Sequence, residues 1–357
     1  MSKERETRPV EDIFDKYISP AKMQAAQSGM LYKADFELNL TCPCTCKICF
    51  SGSYRTGPMM PREKVLEAID DIAGLGFKQI MWEGGESLLH PNIFEFVEYA
   101  YEKGLKNGIV SGGLPITQKV AERLTRAHEK RWMNEFIIHI DTIDPENFLK
   151  LHDNPQELPA RIQGYRNLIG AGFPAKRIMP CITLTRPAAE KIEETIDWYI
   201  DEMGARFVEI TMFKPMGAGG LNKLLEPPLS LIKKTHEYRA KKFGSPNWDR
   251  IGSTECSTIQ CRTDFYLTVE GNVMPCSQMP DSFAVGNIYQ ERLMDIFLKY
   301  RDTIALRDMK VKGQCAACEN NDICYGCRSS AYWYLGDIKG PDPKCWRNPE
   351  AKELYLS

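Results

Sequence analysis

From residue 35 to about 240 the chain alternates between two kinds of hydrophobic pattern. Short, dense apolar runs occur at Phe36–Leu40, Gln79–Trp82, Asn107–Val110, Phe136–Ile140, Ile178–Leu184 and Phe207–Met212, and their length and β-branched content predict strands. Between them lie segments whose apolar residues recur at helical spacing, such as "REKVLEAIDDIAGLG", "IFEFVEYAYEKG", "TQKVAERLTRAHEK" and "AAEKIEETIDWYIDEMG". Several end in glycine, a frequent helix stop. Pro61 and Pro187 stand just ahead of two of them, where a missing N–H costs little.

Six strand–helix repeats predict a parallel sheet covered by helices. Six falls short of the eight that close a full barrel, so the expected fold is α/β, a curved and open (β/α)6 partial TIM barrel. Chemistry in such folds sits at the C-terminal ends of the strands. Residues 243–260, "FGSPNWDRIGSTECSTIQ", interrupt the alternation with Gly, Ser, Pro and Asn, which marks a domain boundary. The expected organisation is an N-terminal extension over 1–34, the barrel over 35–242 and a small C-terminal module over 243–357. That module opens with "DFYLTVEGNVMPCSQ", read as a β-hairpin around Gly271-Asn272. The remainder is rich in cysteine and short of long periodic segments, so its core is expected to be small and dependent on bound metal.

Composition narrows the class only modestly. With 357 residues, 43% hydrophobic and 26% charged residues and a net charge of −2, the chain suggests neither a nucleic-acid partner nor a membrane. The N-terminal "MSKERETRPVEDIF" has no apolar run of signal-peptide or membrane-span length, so a cytoplasmic location is expected. Thirteen cysteines change the picture more. In a reducing compartment clustered thiols are metal ligands or redox groups rather than disulfides. Four lie at 42–49, Cys181 stands alone, and eight lie beyond 255, a layout that predicts two metal-bearing modules.

The first block, "TCPCTCKICF" (41–50), follows the first predicted strand and so falls at the catalytic end of the barrel. Cys42, Cys46 and Cys49 supply three thiols in one loop. A four-iron cluster held by three thiolates leaves one iron open. A closed zinc site wants four ligands, usually in two separated pairs, and a second pair is missing nearby. Cys44 fits neither spacing and is expected to be a surplus thiol.

Cys-x3-Cys-x2-Cys followed by an aromatic residue, Phe50, resembles the radical S-adenosylmethionine (radical SAM) superfamily. "WEGGESLLHPN" at 82–92 is similar to that family's Gly-Gly-Glu-Pro stretch, with Ser87 in place of proline. The resemblance implies that Cys42, Cys46 and Cys49 hold a [4Fe–4S] cluster whose open iron binds SAM. It implies that Gly84 and Gly85 let the backbone approach the methionine moiety, that Glu86 receives its ammonium, and that Phe50 lies near the adenine. Ser111, Asp141 and Thr183, at later strand ends, would line the same pocket. Reduction by a carrier such as flavodoxin or ferredoxin would cleave SAM to methionine and a 5′-deoxyadenosyl radical, with the protein positioning the target C–H.

The C-terminal cysteines, at 256, 261, 276, 315, 318, 324, 327 and 345, are enough to close two further four-iron clusters; two zinc sites are the simpler alternative. Their arrangement resembles the SPASM extension of radical SAM enzymes. It implies one auxiliary cluster on Cys256, Cys261, Cys276 and Cys327 and another on Cys315, Cys318, Cys324 and Cys345, three [4Fe–4S] clusters in all. The last two cysteines of the central group, Cys324 and Cys327, are separated by two residues where the family usually has three. The auxiliary clusters would either accept an electron from the substrate or staple a module with little core.

Other residues carry plainer expectations. Cys181 reads as a small buried hydrophobe and His90 as a loop or helix-start residue. His139 is open to a pocket or a core role. Glu37, Glu83 and Glu209 either line a cavity or pair with Lys and Arg. "FKPMGAGG" (213–220) reads as a Gly-rich lid at the catalytic end, without phosphate-loop spacing. Sulfatase-activating relatives carry an aspartate after the cysteine at position 276; here Ser277 argues against that activity. The leading substrate is a ribosomal peptide side chain. About 34 residues precede the first strand, too few for a leader-binding domain, so a peptide substrate would need either a separate leader-peptide-binding protein or direct docking. The alternative is a small molecule: a sugar, an aminoglycoside or a tetrapyrrole side chain. A non-catalytic iron–sulfur or zinc protein is the remote one. The spacing makes one sharp prediction: Cys44→Ala keeps the cluster and SAM cleavage, whereas Cys46→Ala loses both, as read by iron content and 5′-deoxyadenosine release.

Overall fold

The computed structural model describes residues 22, 24–25, 28, 30–52, 56–243, 260–307, 309–319, 321 and 324–351. Six strands, β1 (Lys33–Glu37), β2 (Gln79–Glu83), β3 (Lys106–Ser111), β4 (Glu135–His139), β5 (Ile178–Leu184) and β6 (Glu209–Met212), run parallel. The sheet does not stop at β1. Strand β7 (Asp264–Leu267) lies parallel to β1 on its other side, and β8 (Asn272–Met274) and β9 (Gly286–Asn287) follow antiparallel. The nine strands are ordered β6-β5-β4-β3-β2-β1-β7-β8-β9. The layer of helices contains α1 (Arg62–Gly74), α2 (Ile93–Glu102), α3 (Gln118–Glu129), α4 (Pro145–Leu151), α5 (Glu157–Gly170), α6 (Arg186–Glu190), α7 (Ile192–Asp197) and α8 (Leu229–Lys242). Beyond β9 come α9 (Leu293–Ile304) and α10 (Arg328–Leu335). No helix among the described residues is long and apolar enough to cross a membrane.

Strand parity decides what the interior of the barrel is made of. Successive side chains on a strand point to opposite faces. Ala34, Phe36, Ile80, Trp82, Phe136, Ile138, Ile182 and Leu184 belong to the main hydrophobic core. Their neighbours Lys33, Asp35, Met81, Glu83, Ile137, His139, Cys181, Thr183, Glu209 and Thr211 line a central cavity. The apolar stripe therefore buries helix-facing surface, and the other stripe presents chemistry to the inside. Lys33 pairs there with Asp35 at 2.8 Å and with Asp264 of β7 at 3.3 Å.

Several boundaries differ from the sequence expectation. The first strand lies three residues earlier than Phe36–Leu40, because the chain leaves the ladder after Leu38, whose N–H still donates to Glu83 O of β2 at 3.1 Å. Leu40 N–H donates to Pro58 O and Met60 N–H to Leu38 O, closing the following loop on itself. The predicted helix over 188–204 breaks into α6, α7 and a π turn at Trp198–Glu202, with Lys191 at φ −121° between the first two. The hairpin turns through Gly271 at φ +88°, so Asn272 is the first residue of β8 rather than part of the turn.

The C-terminal module is less separate than its composition suggests. Residues 244–259 of the expected boundary lie outside the described residues, and past them the chain returns to the barrel as β7. The module also has a long periodic segment: α9 buries Leu293, Ile296, Phe297 and Ile304. Phe77 of the barrel packs edge-on with Phe265 of β7 and Phe297 of α9 at 5.1 and 5.4 Å, and Arg292 binds the buried Asp71 of α1.

Glu37 fastens the two parts at the end of β1. Its carboxylate is 4% exposed and accepts from Tyr266 Oη and Val269 N–H, both at 3.0 Å, rather than pairing with Lys or Arg. Burial pushes this carboxyl from its ordinary 4.5 up to about 7, against those two hydrogen bonds. The folded chain therefore keeps the proton to higher pH than the unfolded chain, and the contribution of Glu37 to stability falls as pH rises from about 4.5 to about 7. Glu37→Gln abolishes that slope. Relative to the variant, the wild type is expected to lose on the order of 2–3 kcal/mol between pH 4.5 and pH 8, read as the change in the difference between their denaturation midpoints.

Candidate functional site

The catalytic end of the sheet opens onto a cavity of about 310 Å³. Its walls bring together both cysteine blocks. Its lining includes Cys42, Cys46, Cys49 and Phe50 from the first loop, with Gly84, Gly85, Ser111, Asp141 and Thr183 from the ends of β2 to β5. Cys261, Cys276 and Cys327 line it as well.

The first loop is closed at its base and clasped from both sides. Thr41 Oγ1 donates to Gly57 O and accepts from Gly57 N–H, both at 3.0 Å. The Gly84-Gly85-Glu86 segment runs along this stem: Gly85 N–H donates to Asn39 O at 2.6 Å and Glu86 N–H to Thr41 O at 2.9 Å. A Cβ on Gly84 would collide with Asn39 O, and one on Gly85 with Thr41 O; Gly84 also has φ +122°. Both glycines thus have a packing reason to be glycine, with the cavity on their open side.

Glu86 lies just behind the lining. Its carboxylate accepts from Ser111 Oγ and Gly112 N–H at 2.9 Å and from Leu88 N–H at 3.3 Å. Burial pushes it up to about 7, against these three donors and Arg161. Asp141 accepts from Thr183 N–H at 2.7 Å. Burial acts to raise its pKa, but His152, His139 and the Thr183 N–H outweigh it and hold it below the usual range.

A polar clamp missed in the sequence grips the other side of the loop. Arg161 of α5 is 1% exposed. Its guanidinium donates to Cys46 Sγ at 3.2 Å, Glu157 Oε2 at 3.1 Å and His139 O at 3.3 Å, and lies 3.3 Å from His152 Nδ1. Glu157 Oε1 accepts from Thr45 N–H and Oγ1 at 3.0 and 2.7 Å. His152 stacks on Phe148 at 4.0 Å and forms a backbone bridge with Cys46. Burial alone would raise Glu157 and lower His152; His152, Thr45 and Arg161 override it at Glu157, taking it down to about 2, and hydrogen bonding to Asp141, Cys46 and Glu157 takes His152 up to about 10. From sequence, Glu157 and Arg161 look like an ordinary i, i+4 surface pair, so nothing local marks them.

The remaining expected residues fall as follows. Cys44 also lines the cavity; its thiol is pushed up chiefly by hydrogen bonding with Cys42. Cys181 is buried, with Thr211 Oγ1 4.0 Å away. His139, Glu83 and Glu209 line the cavity, whereas His90 binds Met60 O and Asn92 N–H at the start of α2. The 213–220 loop is pinned rather than free: Ala218 N–H donates to Cys49 O at 2.9 Å, and Gly217 packs on Phe50 O.

Among the C-terminal thiols, burial is the first cause raising those of Cys261 and Cys276, followed for Cys261 by the charges of Cys276 and Cys327; Cys276 reaches about 11. Cys315 Sγ accepts from Asp342 N–H at 3.3 Å, Cys324 Sγ from Gly326 N–H at 3.4 Å and Cys327 Sγ from Ser330 N–H at 3.4 Å. Gly326, at φ +69°, makes the tight turn between Cys324 and Cys327. The fields of Cys318 and Cys345 meet at Arg347. Cys256 lies outside the described residues. Soft thiolates with amide donors aimed at sulfur suit iron–sulfur clusters, and the cavity leaves room beside Cys42, Cys46 and Cys49 for a small molecule.

Arg161→Met strands Glu157 and His152 in the interior. Breaking a buried pair costs about 3–5 kcal/mol, so the cluster-free variant is expected to show that loss in chemical denaturation. Arg161→Lys recovers only part, because one ammonium cannot reproduce the fork of contacts.

Comparison with known proteins agrees with this geometry. The radical SAM superfamily model matches residues 37–212, and the SPASM iron–sulfur cluster-binding domain model matches residues 256–328. The AdoMet-dependent heme synthase of Methanosarcina barkeri is 25% identical over 350 residues, covering 89% of this chain and 97% of that protein. The PqqA peptide cyclase of Granulibacter bethesdensis is 23% identical over 337 residues, covering 88% and 86%. Streptococcus suis SuiB bound to its precursor peptide SuiA shares the fold with a TM-score of 0.69 at 15% identity, covering 97% of this chain and 83% of that one. With both modules matched and their cysteines facing one cavity, this chain is a radical SAM enzyme with a C-terminal SPASM domain.

Proposed function

We propose that this enzyme oxidatively modifies an unactivated C–H position, most directly on a ribosomal peptide side chain. The observation that carries the reading is one cavity lined both by Cys42, Cys46 and Cys49 and by Cys261, Cys276 and Cys327. A substrate between them has a radical source on one side and an electron acceptor on the other, which is what a net two-electron oxidation needs. The PqqA peptide cyclase relatives support a peptide. The heme synthase relative, matched over 97% of its length, supports a second reading, a tetrapyrrole side chain.

Cys42, Cys46 and Cys49 would hold the SAM-binding [4Fe–4S] cluster. Cys256, Cys261, Cys276 and Cys327 would hold one auxiliary cluster, and Cys315, Cys318, Cys324 and Cys345 the other. When bound, these groups supply a 5′-deoxyadenosyl radical from SAM and a sink for the second electron, with a flavodoxin or ferredoxin as reductant. The chain supplies position and dryness. Arg161 and Glu157 fix the cysteine loop through Cys46 and Thr45. Gly84, Gly85 and Phe50 leave a shaped face for SAM, and Glu86 orients it by holding Ser111 and Gly112. Asp141 fixes the Thr183 amide at the cavity wall. The 213–220 loop covers the cysteine loop and limits water.

Anaerobic reconstitution tests the reading. The expected result is about twelve irons per chain, release of 5′-deoxyadenosine on reduction, and faster release with a substrate peptide that loses two hydrogens in mass. Bound zinc without SAM cleavage would sink it. Faster release with an iron tetrapyrrole and none with peptides selects the second reading.

A further inference from the structure

Four cations line the cavity: Lys33, Arg161, Lys214 and Arg328. Three have their donors engaged. Lys33 pairs with Asp35 and Asp264, and Arg161 grips Glu157 and Cys46. Arg328 donates to Gly326 O, Ile338 O and Gly340 O at 3.0, 2.8 and 2.7 Å. Lys214 differs. It is 7% exposed, yet its ammonium donates to a single backbone carbonyl, Met212 O at 3.0 Å. Among the described residues no carboxylate forms an ion pair with it, including Glu209, which lines the same cavity from β6.

An ammonium has three donors, so two remain for the cavity. Leaving a buried cation unpaired costs several kcal/mol. The lysine is also held in place: Met216 N–H donates to Lys214 O at 2.8 Å, and the bond to Met212 O directs the side chain. Its field reaches Cys276, where it favours the thiolate. The position is thus a fixed ammonium without an ion-pair partner among the described residues, between the end of β6 and the second cysteine block.

We propose that Lys214 anchors a carboxylate of the substrate, so that the molecule modified here carries an acidic group against the β6 wall. This rests on the functional reading above and sharpens it, since an acidic peptide side chain and a carboxylate-bearing tetrapyrrole side chain share that chemistry. The distance from Lys214 to the radical source then selects which carbon of an acid-bearing substrate is attacked.

The test uses reconstituted holoenzyme and two probe pairs. One is a water-soluble iron porphyrin with carboxylate side chains against its methyl ester. The other is a synthetic peptide with a central glutamate against the same peptide with glutamine. Binding is read by anaerobic ultrafiltration, independently of SAM cleavage. Wild type is expected to prefer the acid in one pair by about tenfold or more, and the responding pair identifies the source. Lys214→Met should erase the preference and Lys214→Arg should keep most of it. Because the charge is unpaired in the free chain, the methionine variant should melt no lower than wild type.

Four results overturn the proposal. Neither pair shows an acid preference; the methionine variant retains one; it instead loses SAM affinity with the preference intact, so that the lysine serves SAM's own carboxylate; or it melts lower, or shifts the auxiliary-cluster midpoint potential, with the preference intact, so that the lysine is structural or balances cluster charge. Wild type that carries clusters and cleaves SAM but fails the probes defeats the anchor alone. Wild type without clusters defeats the functional reading itself.

Discussion

The site depends on a loop of soft, reactive thiols being held rigid although its own sequence cannot hold it. "TCPCTCKICF" has little apolar content to bury, and no helix forms in it. Rigidity comes from hydrogen bonds supplied by three other elements. The Gly84-Gly85-Glu86 turn binds its stem, the Glu157–Arg161–His152 group binds its middle, and the 213–220 loop binds Cys49 at its far end. Each contact is largely shielded from water, where a hydrogen bond is stronger and an unmade one more costly. Three cysteines can then serve as ligands without a fourth, because the loop is shaped by the rest of the chain and not by the group it holds.

The same economy governs the barrel. A strand with one face toward helices and one toward a cavity must alternate, and these strands do. The inward stripe carries Asp35, Glu83, His139 and Glu209 where a filled barrel would carry aliphatic side chains. Buried charge of this kind is tolerated when paired, as Lys33 is with Asp35 and Asp264. Burial pushes the Asp35 and Glu83 carboxyls up from their ordinary range, the direction in which dry surroundings disfavour the charged form. Against that background Lys214 stands out, since among the described residues no carboxylate forms an ion pair with it.

Much of this was legible in the sequence, and what was not has a common cause. Periodicity found the parallel strands because a two-sided burial pattern is local. Cysteine spacing found the first loop because its four cysteines lie within eight residues. The clamp escaped notice because Glu157 and Arg161 become special only when α5 is laid against a loop more than a hundred residues away. The bounds of β1 differ for a related reason: Leu38 and Leu40 are as apolar as strand residues, but Leu38 keeps only its bond to Glu83 O of β2, and the backbone there otherwise pairs with Pro58 and Met60. The α9 helix was overlooked because the surrounding cysteines made the region look coreless.

The placement of β7 bears on how the two cysteine blocks work together. A module tethered only by a linker would leave the spacing between its thiols and the first loop to chance. Here β7 is in register with β1, with Lys33 opposite Asp264 and Phe36 opposite Leu267. Cys261 lies three residues ahead of Asp264, the first residue of β7, and Cys276 follows β8 by two residues. The hairpin is further fixed by Glu37, which binds Tyr266 and Val269. Beyond it, Lys344 is completely buried, binds Phe213 O and pairs with Glu226 at 2.8 Å, tying the end of the C-terminal block to the loop that covers Cys49. A shift of either block would break ladder bonds and strand buried polar groups together. The sheet therefore sets the separation between the two sets of thiols, and the cavity between them has a width that the substrate must fit.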